Sequence, residues 1–173
     1  MMGKNIKDLT NMALLVALAL IISLIELQIP VPVPIPGAKL GLSNIIILVS
    51  LYFYGFKASL TIALLKSFML VLITGAVTSF FYSAAGAILS SIAMAIGLKY
   101  HDRLFSFIGV SEIGAFAHNI GQIIVSAIIM ENVKMFTYFP ALVIVGTFSG
   151  FFVGLSSNFI IKHMKKINIG ENV

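Results

Sequence analysis

The sequence predicts an all-α integral membrane protein: one domain, residues 1–173, built as a bundle of six transmembrane helices with both termini cytoplasmic. Three observations predict it. First, 60% of the 173 residues are hydrophobic and only 10% are charged, with a mean hydropathy of +1.09. Such values exclude an ordinary soluble domain and a disordered chain. Second, the apolar runs are long and the breaks between them short. A helix crosses a bilayer with about 20 mostly apolar residues, so the chain is filled by spans and has no room for a soluble catalytic domain. Third, the cations sit at the ends of the runs. With both termini inside, the inner regions hold Lys4, Lys7, Lys57, Lys99, Arg103, Lys162, Lys165 and Lys166, and the outer loops hold only Lys39 and Lys134. That is a positive-inside bias, so the net charge of +5 reads as a topology signal and not as a nucleic-acid surface.

The spans are expected at about 9–27, 40–54, 58–73, 80–98, 108–130 and 138–161. The first has no small-residue cleavage site behind it, only Glu26, Gln28 and a run of prolines, and reads as a retained span and not a cleaved signal peptide. The second and third are short and separated by Gly55, Phe56 and Lys57, which suggests a tight helical hairpin. The fourth opens on Phe80, Phe81 and Tyr82, aromatics that suit either stacking on a flat ligand or an interfacial belt. The fifth carries polar residues. The sixth carries Gly146, Gly150 and Gly154, one every four residues, a stripe that lets another helix approach closely. Ala13 and Ala17 repeat that spacing on the first span, and either stripe serves internal packing or a membrane partner.

Between the first two spans Pro30, Pro32, Pro34 and Pro36 alternate with Val or Ile and run into Gly37 and Lys39. Proline fixes φ and lacks an N–H, so this stretch is neither helix nor central strand. An extended apolar connector at a membrane surface is expected to act as a gating loop over a cavity, with Pro32, Pro34, Pro36, Gly37 and Lys39 as its residues.

Ionisable and polar residues at membrane depth are costly and are candidates for function. Lys66 falls near the middle of its span, either as counter-charge to an anionic ligand or in an internal pair. Glu112, Ala115, His118, Asn119 and Gln122 recur at helical spacing and form a polar stripe that must face protein, water or ligand. Lys66, His118, Asn119, Gln122, Asn44 and Tyr82 are therefore the candidate substrate-binding residues, with helix-to-helix bonding as the alternative role. One buried histidine is too few for a metal site, and none is expected. The chain has no cysteine, which removes disulfides and thiolate chemistry, and no phosphate loop of the Gly-Lys-Ser/Thr type. Its only aspartates are Asp8 and Asp102, so it has no aspartate cluster with which to bind a magnesium diphosphate.

Three motifs, Pro36-Gly37-Ala38-Lys39-Leu40-Gly41-Leu42-Ser43-Asn44, Tyr82-Ser83-Ala84-Ala85-Gly86 and Gly114-Ala115-Phe116-Ala117-His118-Asn119-Ile120-Gly121-Gln122, resemble the Gx transporter family. Its members are often labelled heptaprenyl diphosphate synthase component I. The likeness covers nearly the whole chain. That family is similar to the substrate-binding S components of energy-coupling factor (ECF) transporters. The resemblance implies an S-component-like, multi-pass bundle in the plasma membrane of a prokaryote, with a ligand held under the outer loops. It implies that Ala13 and Ala17 dock a transmembrane coupling subunit, with two ATPase subunits supplying energy. The family pattern has arginine where Lys66 stands here, which keeps the charge and loses bidentate geometry.

The function expected from the sequence is thus capture, from outside, of a small vitamin-like or isoprenoid- or quinone-related molecule by the substrate-binding component of an ECF-type importer. No enzyme activity and no cofactor are expected of the chain itself. The alternative is a membrane subunit of isoprenoid or quinone biosynthesis that presents a lipid substrate to a soluble prenyltransferase. A self-sufficient channel or exchanger is a third reading.

Overall fold

The computed structural model describes residues 2–30, 39–101 and 103–166. Five long α-helices carry the fold: α1 (Met2–Glu26), α2 (Asn44–Thr74), α3 (Val77–Lys99), α4 (Phe107–Ile129) and α5 (Phe139–Lys166), with a short 3-10 helix at Val133–Tyr138 before α5. All five regions are long and apolar enough to cross a membrane. No β-sheet occurs among the described residues; one isolated bridge joins His101 to Phe105.

The expected count of six separate spans is corrected to five. The second and third expected spans are one element, α2, bent at Gly55, whose φ of +78° and ψ of −179° are non-helical. A positive φ is cheap only for glycine, which is why the bend falls there. The bend is a reversal. Ser59 Oγ donates to the Ile47 carbonyl at 2.9 Å, and Lys66 Nζ reaches Ser43 Oγ at 3.1 Å. Twelve residues of continuous helix would separate the first pair by about 18 Å. The arm 44–54 rises only roughly 16 Å and falls short of a hydrocarbon core of about 30 Å, so it is no span by itself.

This short arm is the centre of the molecule. Every residue from Asn44 to Leu51 is buried, as expected of a helix that is apolar all round. Among the described residues α1 packs mainly on α2, α3 lies between α2 and α4, and α5 closes the bundle against both α4 and α2. The main core gathers Ile45, Ile46, Ile47, Leu48 and Leu51 with Ile62, Met94, Val110 and Val153. Buried hydroxyls stitch helices through carbonyls: Ser157 Oγ to Ile45 O at 3.3 Å and Ser111 Oγ to Gly150 O at 2.8 Å.

The glycine stripe of α5 faces α4. A Cβ at Gly154 would lie 2.5 Å from Ile108 Cα, one at Gly150 3.0 Å from Ala115 Cβ, and one at Gly146 would run into Asn119 Nδ2. Internal packing therefore accounts for this stripe. Ala13 and Ala17, by contrast, are exposed on the outer side of α1, whose buried residues are Ala19, Ser23 and Glu26.

Gly154→Ala should destabilise the fold by roughly 1–3 kcal/mol, because the intruding atom meets backbone that cannot rotate away. Phe148→Ala, at a side chain 76% exposed, should change stability by less than about 0.5 kcal/mol. Thermal unfolding in one detergent compares them; equal effects would refute the close approach of α5 to α4.

Candidate functional site

The chain leaves α1 at Glu26 and re-enters the bundle at Lys39. Residues 39–43 are non-helical, and Lys39, Gly41 and Ser43 are buried. Non-helical backbone at membrane depth is tolerated only where protein or a cavity satisfies its polar groups. Here the Gly41 N–H donates to the Glu26 carboxyl, and the Lys39 N–H makes a long contact of 3.4 Å with Gln122 Oε1. This re-entrant strip lies against His118, since a Cβ at Gly41 would be 3.5 Å from His118 Cδ2.

Around it the bundle gathers a charged and polar cluster. Lys66 of α2 is 4% exposed and Glu26 of α1 is 3% exposed. Lys66 Nζ donates to Ser43 Oγ and, at 3.3 Å, to Ser83 Oγ of α3, which shares a 2.8 Å bond with Ser67. Glu26 stands within electrostatic reach of both Lys66 and Lys39. Among the described residues the buried Lys39 ammonium has no hydrogen-bond partner. Two lysines thus oppose a single carboxylate.

His118 sits in a slot of small residues. A Cβ at Gly86 would lie 2.7 Å from its Nδ1. Its Nε2 lies 3.0 Å from Gln122 Nε2. The amide nitrogen only donates, so the imidazole Nε2 accepts and the neutral ring carries its proton on Nδ1, toward Gly86. Gln122 in turn offers Oε1 to the Lys39 amide. The pair one turn apart on α4 therefore ties the re-entrant strip to α4, while His118 Nδ1 packs against Gly86 of α3 with no hydrogen-bond partner among the described residues.

The sequence-predicted residues divide. Lys66, His118, Gln122 and Lys39 come together, with Asn44 buried beside Gly41 and Tyr82 buried next to Ser83 in the chain. Asn119 does not join them: successive helix positions point about 100° apart, and its Nδ2 donates to the Leu142 carbonyl of α5 at 2.7 Å. The expected single polar stripe is split, because Glu112 and Asn119 face a hollow of about 330 Å³ between α4 and α5. Pro32, Pro34, Pro36 and Gly37 lie outside the described residues. Glu26, Ser43, Ser67 and Ser83 enter the cluster without having been singled out as site residues. Glu26 reads from the sequence as a residue at the outer end of the first span, yet it comes within electrostatic reach of Lys66, with the strip 39–43 buried between them and α4. Among the described residues no three of His, Cys, Asp and Glu are grouped to hold a metal. The cluster sets two lysines, one carboxyl and several hydroxyl and amide groups together inside the bundle.

A family model described as heptaprenyl diphosphate synthase component I matches residues 15–160. No curated protein and no solved structure matches the chain. The family match names a synthase component and corrects the expectation of an ECF importer's substrate-binding component, together with the capture-for-import role drawn from it.

Burial pushes the Lys39 ammonium below its ordinary value of 10.5, and the Glu26 charge acts against that shift. The unfolded chain therefore holds this proton to higher pH than the folded one, and stability rises as pH climbs through the folded value toward 10.5. Lys39→Met should flatten that rise. Melting temperatures of both proteins from neutral pH upward test it, and identical slopes would place the Lys39 ammonium in solvent.

Proposed function

The chain belongs to the heptaprenyl diphosphate synthase component I family, and on that premise we propose that it is the membrane subunit of an isoprenoid-synthesis assembly, holding a lipid substrate by an anionic head and presenting it to a soluble prenyltransferase. The observation that carries the reading is the buried excess of positive charge: Lys39 and Lys66 against Glu26 inside an apolar bundle. A buried cation without a full set of acceptors is expensive, and the oxygens of a phosphate or diphosphate would supply the missing acceptors to Lys39 Nζ. Charge-assisted bonds of this kind are the strong ones. The apolar helices around the cluster suit a prenyl chain.

In this reading the chain binds and the partner catalyses. With only Asp8 and Asp102 in its sequence, it offers no carboxylate cluster for the divalent cations that accompany diphosphate ionisation. That chemistry falls to the soluble subunit.

Affinity purification of the full chain should retain a prenyltransferase, and native mass spectrometry should find a stoichiometric isoprenoid. Lys66→Met should weaken prenyl diphosphate binding by about 10- to 100-fold, the worth of one or two charged hydrogen bonds. Unchanged affinity would remove Lys66 from the site. Retention of neither enzyme nor isoprenoid would overturn the assignment.

A further inference from the structure

Far from the buried cluster, at the opposite end of the bundle, α5 and the link between α3 and α4 enclose a hollow of about 620 Å³. Its cations are Arg103, Lys162 and Lys165, all exposed. Its walls include Tyr52 and Phe107, whose rings meet edge to face at 5.5 Å. Lys165 Nζ stands 4.8 Å from the Tyr52 ring centroid, so this cation is positioned and not loose. The N-terminus of α4 opens here too: Ser106 lines the hollow and caps the helix by accepting from the Gly109 N–H at 3.2 Å, which brings the positive end of a 23-residue helix to the same place. No acid lines the hollow among the described residues.

Beside it, the surface of α5 itself offers an open, mainly apolar depression formed by Leu155, Phe159 and Ile160. Asn158 and Lys162 line both. Phe159 is 72% exposed and Leu155 49% exposed, facing where lipid chains run. Leu155 lies seven residues from Lys162, about 10 Å along the helix toward the membrane interior. A cationic head site at the end of a span thus continues into an apolar trough at hydrocarbon depth.

We infer that the hollow and the depression beside it together bind one amphiphile, with a phosphate or diphosphate head between Arg103, Lys162 and Lys165 and a hydrocarbon chain along Leu155 and Phe159. The head chemistry is shared by an isoprenoid diphosphate and an anionic phospholipid. The site is separate from the Lys66 cluster and stands on its own residues, whatever the assembly's role.

The test uses the full chain carrying Lys66→Met, in nanodiscs of phosphatidylcholine, so that failure of the buried site leaves this one readable. Geranylgeranyl diphosphate, phosphatidylglycerol and inorganic diphosphate are the probes, with dissociation constants from native mass spectrometry. Each interfacial cation contributes about a fivefold factor, so R103Q/K162Q/K165Q should weaken amphiphile binding on the order of 100-fold. K162Q alone, expected at about fivefold, serves if the triple variant does not fold. L155S/F159S should weaken both amphiphiles and spare inorganic diphosphate. Preference for geranylgeranyl diphosphate supports an isoprenoid source, and equal binding of both amphiphiles supports a site for phosphate-headed lipids in general. Affinity unchanged by loss of the cations, no amphiphile bound, or inorganic diphosphate bound as tightly as the amphiphiles would overturn the inference.

Discussion

The hydrogen bond from the Gly41 amide to the Glu26 carboxyl is the interaction on which the rest of the structure depends. A bilayer interior offers no water to a free amide, so a chain that turns into the bundle without helical bonding must find its acceptors in protein. Glu26 supplies one at the end of α1. With the strip 39–43 held there, Ser43 meets Lys66, Lys39 meets Gln122, and the arm beginning at Asn44 is set in the middle of the bundle. The carboxylate therefore has two duties, as backbone acceptor and as counter-charge to the lysines.

That double duty explains what was legible in the sequence and what was not. The all-helical membrane class was readable from hydropathy, because long apolar runs are a local property. Lys66, His118 and Gln122 were readable as a group, since an ionisable residue in an apolar run and two polar residues one turn apart need no tertiary knowledge. The element count was not, because the arm 44–54 is apolar enough to pass for a span while too short to be one, and only its burial against α1, α3 and α5 reveals its place. Glu26 was also hidden: its role depends on the strip 39–43 lying inside the bundle, which no periodicity announces. Asn119 takes the alternative role the sequence left open, a bond to a neighbouring helix. Adjacent to His118 in sequence, it belongs to the α4–α5 contact by the geometry of the helix.

The two ends of the bundle differ in how they treat charge. At one end lysine and glutamate are buried among hydroxyls and an amide, away from lipid. At the other, cations stand at the surface among aromatic rings, next to an open apolar trough. Burial makes the first demanding of its occupant, since an uncompensated charge there is costly; exposure makes the second permissive, since water shares the load. Such a division suits a protein that meets both a held ligand and the surrounding lipid.

The reversal at Gly55 also bears on how the chain is made. An insertion machinery that releases segments sideways into lipid recognises roughly 20 apolar residues at a time. The eleven residues of the arm 44–54 fall below that length and carry Asn44 at their start. The arm cannot partition alone, so the nascent chain must keep it sheltered until the following arm, ending at Thr74, has emerged to enter as its partner. The order of synthesis thus favours α2 entering the membrane as a single insertion unit.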